Sequence, residues 1–317
     1  MTTQHQQQKR PLTSFTLISL DIYGTLINWE SGIFTGLQPL TSRLPPSHPL
    51  KSDLSSVGAA FAAHERTIQA QTPDLTYDRV LKGAYEGLAR ELDALPTPPP
   101  PPPPAATAAR DGEHGQASSA EEVLLDAEST TFAESISVWP AFADTISALR
   151  ALKKRFKLVP LSNVDRTSFE KTLRGGLAGL HDDDGQQQKP FFDAVYTAQN
   201  IGSYKPSLRN FEFLIENVKR EFGVEKEDVL HVAQSLFHDH EPAMKVGLES
   251  VWIARGQDGG KKTMGGDVEE FLGTGGGGGG EGEEGKKRVG FGWRFATLAE
   301  LVQAVEREEE EELKMKG

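Results

Sequence analysis

The chain has 317 residues, with 34 Lys and Arg against 46 Asp and Glu, 32 Gly, 19 Pro and no Cys. Without Cys there is no disulfide scaffold, thiolate-held metal or thiol nucleophile, and a net charge of -12 argues against a nucleic-acid partner. No apolar run approaches the ~20 residues of a membrane helix, and the Gln-rich residues 1–10 lack the apolar core of a secretory signal, so a cytoplasmic protein without a membrane partner is expected.

The acidity is unevenly spread. Five segments look unable to fold: 1–10, 95–128 with the run Pro98 to Pro104, 181–189 (HDDDGQQQK), 254–290 with the run Gly275 to Gly280, and 306–317. They hold about 102 residues and about -9 of the charge, and bury too little apolar surface to offset the entropy of ordering. About 215 residues remain for a globular protein.

In chain order, residues 15–20 (FTLISL) read as a buried strand ending at Asp21. Residues 29–137 then break the pattern, with helical stretches at 56–72 and 78–94 and no strand-like run between them. Such a block reads as a helical cap over a sheet, with residues 95–128 as a surface insert in it. Phe142, Ile146, Leu149 and Leu152 mark the next helix, and 156–161 (FKLVPL) the second strand, although Pro160 cannot donate to a ladder. AVYTA (194–198), VLHVA (229–233) and SVWIA (250–254) read as strands, with a helix carrying Leu208, Phe211, Leu214 and Val218 between the first two. Residues 291–305 read as a final strand and helix, and 306–317 as a solvated acidic tail. Strands alternating with helices of this length predict an α/β fold. The expected architecture is a doubly wound parallel-sheet, Rossmann-like core over 11–28 and 138–305, with a helical cap at 29–137 inserted after the first strand.

In such a sheet, ligands sit beyond the carboxyl ends of the strands. The residues found there are Asp21-Ile22-Tyr23-Gly24-Thr25-Leu26, Ser162-Asn163, Lys205 within SYKP, and Gln234 to Asp239. Each has a plain structural role when taken alone: Asp21 as a turn cap, Ser162-Asn163 as a helix opener, Lys205 as a surface cation. Together they place two carboxylates, a lysine and a hydroxyl–amide pair on one rim. His231, His238 and His240 are close in sequence, but only His231 falls within a strand, so no metal site is expected from them.

That order of residues resembles the haloacid dehalogenase superfamily. Asp21 matches the nucleophile of its first motif, Ser162 and Asn163 its second, Lys205 its third and Asp239 an acidic position of its fourth. Phosphatases of the superfamily carry an acid two residues after the nucleophile and a further carboxylate shortly before the position of Asp239. Here those places hold Tyr23 and the uncharged pair Gln234 and Ser235. The segment LDIYGTLINWESGI resembles the L-2-haloacid dehalogenase branch, which uses no metal. The resemblance implies a hydrolase that attacks a small 2-haloalkanoic acid through an aspartyl ester on Asp21. Lys205 would hold Asp21 ionised, Asp239 would act on water, and Ser162, Asn163, Tyr23 and Thr25 would contact substrate or nucleophile. Arg66, with Arg79 behind it, is the candidate for the cap arginine at the halide. No cofactor is implied, magnesium entering only under an alternative phosphatase reading. A non-catalytic binding protein that keeps the fold is a further alternative. The partner implied is a small molecule, and analogy with relatives suggests a homodimer.

Overall fold

The computed structural model describes residues 10–72, 75–98, 114–180, 190–255 and 289–316. The first strand, β1 (Leu17–Leu20), is buried at every position, as its apolar composition, broken only by Ser19, requires of an interior strand. The chain then leaves the sheet for a stretch whose described α-helices are α1 (Trp29–Gly36), α2 (Gln38–Arg43), α3 (Leu54–Gln71), α4 (Tyr77–Glu91) and α5 (His114–Glu134). It returns through α6 (Thr145–Lys153), β2 (Lys157–Ser162), α7 (Arg166–Arg174), β3 (Tyr196–Thr197), α8 (Ala198–Ile201) and α9 (Leu208–Phe222). The last elements are β4 (Val229–Ala233), α10 (Glu241–Val246), β5 (Glu249–Ile253), β6 (Trp293–Phe295) and α11 (Leu298–Lys316).

Contacts divide the chain into two units, Glu30–Trp139 and the remainder. In the larger unit the six described strands are all parallel, in the order β3-β2-β1-β4-β5-β6. Successive strands step outward from β1 in one direction and then, from β4, in the other. This is the doubly wound, Rossmann-like arrangement, and its reversal point lies between β1 and β4. Leu17, Val159, Leu161, Phe211, Leu214, Val218 and Val229 form a core cluster of this unit.

Pro160 sits inside β2, opposite Leu20. Lys157 N–H donates to Thr16 on the β1 side, whereas Leu158 exchanges bonds with Asp193 on the other side, its N–H reaching Asp193 Oδ2 at 2.8 Å. Backbone groups alternate along a strand, so the nitrogen of Pro160 faces the β3 side. There β3 pairs only with Leu161 and Ser162, and little is lost. The third strand is accordingly shorter than the expected 194–198.

Among its described residues the smaller unit is helical apart from its loops. Asp53 caps α3 by accepting from Ser56 N–H at 3.1 Å. Val57, Phe61, Val80, Leu81, Tyr85, Leu88, Leu125 and Phe132 are buried in this unit, with Phe61 edge-on to Phe132. Gly87 allows the close approach of α3 and α4, because a Cβ there would lie 2.6 Å from His64 Nδ1.

Two of the segments read as unable to fold are ordered in part. Residues 114–128 of the expected insert belong to α5, and the expected tail 306–317 continues α11 to Lys316. The tail helix has a partner that composition does not reveal. Thr13 N–H and Oγ1 both donate to Glu308 Oε2, at 2.9 and 3.3 Å, and Thr13 Oγ1 also bonds Glu312. The segment 181–189, most of the proline run and the glycine run lie outside the described residues.

Candidate active site

The site lies at the reversal point of the larger unit, where ligands of such sheets bind. Asp21 follows β1, and its N–H donates to Val232 of the neighbouring β4. The chain then turns sharply: Gly24 N–H donates to the Ile27 carbonyl at 2.8 Å, and Leu26 N–H to Ile22 at 2.8 Å. Gly24 has φ +97°, and a Cβ there would meet Trp29 Nε1 at 3.0 Å and Gln234 Oε1 at 3.3 Å, so the turn requires glycine. The same turn brings Thr25 back onto Asp21. Its fully buried hydroxyl donates to Asp21 Oδ2 at 2.7 Å and accepts Gln234 N–H at 2.9 Å.

Lys205 arrives from the loop between α8 and α9, and Asn163 fixes it by its backbone. The Asn163 amide accepts from Lys205 N–H at 2.6 Å and donates to the Lys205 carbonyl at 3.0 Å. The ammonium has three acceptors: Asp21 Oδ1 at 2.8 Å, Asp239 Oδ1 at 2.7 Å and the Leu161 carbonyl at 3.0 Å. Asp239 comes from a wide single turn, Leu236–His240, in π geometry, which Ser235 caps by accepting from His238 N–H. That turn folds Asp239 back toward β4, where His231 Nε2 lies 3.0 Å from Asp239 Oδ1. His231 Nδ1 lies 3.2 Å from the Ser19 hydroxyl, its register partner on β1.

Two carboxylates thus share one ammonium in a buried cluster. Burial pushes the Asp21 carboxyl above its ordinary range and the Asp239 charge adds to this, while Lys205 and the Thr25 hydroxyl oppose it. Burial acts on Asp239 in the same direction, but there Lys205 and His231 together win, holding it well below the carboxylate range. Burial works against the Lys205 charge, and the two carboxylates override it, so the amine stays protonated. At the end of β2 the Ser162 hydroxyl is buried with no hydrogen-bond partner among the described residues, and so is Asp239 Oδ2. Unpaired buried oxygens of this kind point to a group that the protein alone does not supply.

Of the residues expected on the rim, Asp21, Thr25, Lys205 and Asp239 form one hydrogen-bonded cluster. Asn163 is tied to it through the Lys205 backbone, and Ser162 ends the adjoining strand. Tyr23 is half-buried and turns aside, its hydroxyl 2.6 Å from Thr172 Oγ1. Burial raises its phenol above the ordinary value, with Thr172 opposing and the Asp165 and Asp21 charges adding. Arg66 is exposed on α3 and belongs to the helical unit, as does Arg79 on α4. Leu236 packs with Trp252, Ala254 and Val289, so its side chain serves the core. His238 bonds the Ser235 hydroxyl, and His240 bonds Ser250 Oγ and the Ala233 carbonyl. Sequence reasoning did not connect His231 and Ser19 to the site. The signal available was one polar ring in an otherwise apolar strand, VLHVA.

A magnesium site wants several hard, preferably anionic oxygens. Asp21 Oδ1 and Asp239 Oδ1 are taken by Lys205, and Gln234 and Ser235 bring no charge. Among the described residues no group of three or more His, Asp or Glu side chains is disposed to hold a metal ion. The residues present do not fit the ion. No described helix is long and apolar enough to cross a membrane.

Comparison with known proteins agrees with this layout. A curated relative, glyceraldehyde 3-phosphate phosphatase of Methanocaldococcus jannaschii, is 25% identical over 119 residues, 38% of this chain. The chain spans 45% of that relative's length. Among solved structures, L-2-haloacid dehalogenase from Xanthobacter autotrophicus superposes with a TM-score of 0.58 at 14% identity, covering 92% of this chain and 98% of the other. The hydrolase YfnB from Bacillus subtilis, bound to magnesium, superposes with a TM-score of 0.56 at 15% identity, covering 92% and 99%. These likenesses establish the fold. A family model for haloacid dehalogenase-like hydrolases matches residues 15–235, so the chain belongs to that family.

Proposed function

We propose that the protein hydrolyses a small 2-haloalkanoic acid, or a similarly activated small molecule, through an ester on Asp21 and without a metal. The observation that carries this reading is Tyr23. It stands two residues after Asp21, with its hydroxyl engaged by Thr172 and its phenol held above the ordinary value. A leaving alkoxide needs a proton donor there, whereas halide leaves as a weak base and needs none. In the first step an Asp21 oxygen attacks the carbon bearing the halogen, and the carbon–halogen bond breaks with its electron pair going to halide. Water then adds to Asp21 Cγ, the Cγ–O bond to the substrate breaks, and a 2-hydroxy acid leaves. One hydrogen of the water departs on the product hydroxyl and the other is released as a proton. The unpaired Ser162 hydroxyl suits a substrate carboxylate oxygen, and Asp239 Oδ2 suits the water. Asn163 is assigned to positioning Lys205. Arg66 is the proposed halide-side cation on the resemblance alone.

The test is halide release from L-2-chloropropionate by wild type and Asp21→Asn, with intact mass measured after rapid quench. Wild type is expected to turn over and to show an adduct confined to Asp21, and Asp21→Asn to lose at least about three orders of magnitude in rate, as removal of a nucleophile does. Absence of both turnover and adduct sinks the reading. The phosphatase relative supports a second reading, phosphate hydrolysis, which would require magnesium at oxygens that do not suit it. Phosphatase activity abolished by EDTA, with no halide release, would establish it instead.

A further inference from the structure

His231 lies at the centre of β4 and is fully buried, with the Phe211 ring edge-on at 5.2 Å. In that apolar setting its two nitrogens have one polar neighbour each, the Ser19 hydroxyl at Nδ1 and Asp239 Oδ1 at Nε2. An ionised carboxylate only accepts, so Nε2 must carry a proton, and the Ser19 hydroxyl, able to donate or accept, completes Nδ1. Asp239 Oδ1 thereby has two donors, Lys205 Nζ at 2.7 Å and His231 Nε2 at 3.0 Å. Asp239 Oδ2 has none among the described residues and is buried. The two oxygens of one carboxylate are treated oppositely, and a carboxyl held on one oxygen by two donors from different directions cannot rotate to exchange them.

We propose that His231 is a positioning residue which, with Ser19 holding its Nδ1, fixes Asp239 so that Oδ2 alone is presented to the water that cleaves the Asp21 ester. The proposal rests on the ester reading given above. Lys205 alone does not achieve this, because it also bonds Asp21 Oδ1 and the Leu161 carbonyl, and its Asp21 partner changes when the ester forms. His231 has no contact with Asp21 among its hydrogen bonds and keeps Asp239 aimed through both half-reactions. The consequence is selective. Loss of the His231 donor should leave attack on the substrate unaffected and slow release of the ester.

The experiment uses the full chain as wild type, His231→Leu and His231→Gln, glutamine keeping an N–H donor near the position of Nε2. Rapid-quench mass spectrometry with L-2-chloropropionate is expected to show ester formation within about twofold of wild type in all three. Ester hydrolysis is expected to slow at least tenfold in His231→Leu, so that the adduct accumulates, and to recover most of that loss in His231→Gln. Equal slowing of both steps, unchanged ester hydrolysis, or no rescue by glutamine would overturn the proposal. A second measurement needs no substrate: nitrogen NMR of histidine-labelled wild type near neutral pH should show His231 as the Nε2–H tautomer, with that resonance moving in Asp239→Asn. An Nδ1–H tautomer overturns the proposal whatever the enzyme turns over. If wild type forms no adduct, the dehalogenase reading fails, and the tautomer decides whether His231 orients Asp239.

Discussion

His240 is fully buried between Ser250 Oγ at 2.8 Å and the Ala233 carbonyl at 3.0 Å, and burial lowers its pKa from 6.5 to about 4. Its folded pKa is therefore depressed, so the unfolded chain binds the extra proton across the window between those values, and stability rises with pH there. The contribution is fully present above pH 6.5 and is lost as pH falls toward 4, amounting to about 3 kcal/mol at most. Urea titrations between these pH values should show wild type losing this increment and His240→Gln, which keeps an N–H for Ala233, losing much less. Equal slopes for the two proteins would mean that His240 is not the group responsible. Asp239 also has a depressed pKa, but its stabilisation is lost mostly below its unfolded value of 3.8. At this scale the site was legible where a residue type announces chemistry at a strand end. Asp21, Thr25, Lys205 and Asp239 were found in that way. His231 and the Ser19 hydroxyl were not, because their role depends on the pairing of β1 with β4, which joins residues more than two hundred positions apart.

The helix α11 shows how an element escapes a compositional reading. Its first half is amphipathic, burying Leu298, Leu301, Ala304 and Val305, whereas the run Glu308 to Glu312 looks like a solvated tail. What holds it is the 3-10 turn Leu12–Ser14, whose Thr13 N–H lacks a partner in its own turn and donates to Glu308. Arg155 adds an ion pair with Glu309 at 3.5 Å. A hydrogen bond to a charged acceptor contributes roughly 1.5–3 kcal/mol when buried, and less at this half-buried position. Glu308→Ala should therefore cost about 1 kcal/mol and Glu308→Gln, which retains an acceptor, about half of that, read from urea midpoints at constant slope. Loss of α-helical circular dichroism confined to the final turns in Glu308→Ala would agree. An unchanged midpoint would mean that the contact with Thr13 stabilises nothing. The strands are more legible than the tail, since short, mostly apolar runs belong to buried parallel strands. Pro160 weakened the reading of β2 only because the side its nitrogen faces is set by β3, another distant segment.

At the scale of the whole molecule, composition locates where the chain departs from a domain but overextends two departures, the acidic tail and the segment 95–128. By composition the segment 95–128 is a single insert, yet its second part lies in α5, which packs on α4. Leu125 is fully buried there, and Glu128 receives both Arg43 guanidinium nitrogens at 2.9 Å and the Tyr85 hydroxyl at 2.9 Å. Alanine and acidic residues gave α5 a polar look, and only the opposing helix shows which face is covered. Two deletions separate the parts. Replacing residues 99–113 with a short Gly-Ser linker removes none of these contacts, so the urea midpoint and the rate of halide release should stay within error of wild type. Extending the deletion to 95–128 removes a buried leucine, worth about 3 kcal/mol on the scale of cavity-forming truncations, and leaves Arg43 without its carboxylate. That variant should be destabilised by at least this amount. Equal stability of the two deletions would mean that α5 contributes no packing to the helical unit. Loss of halide release in the short deletion alone would instead assign the proline run a part in turnover.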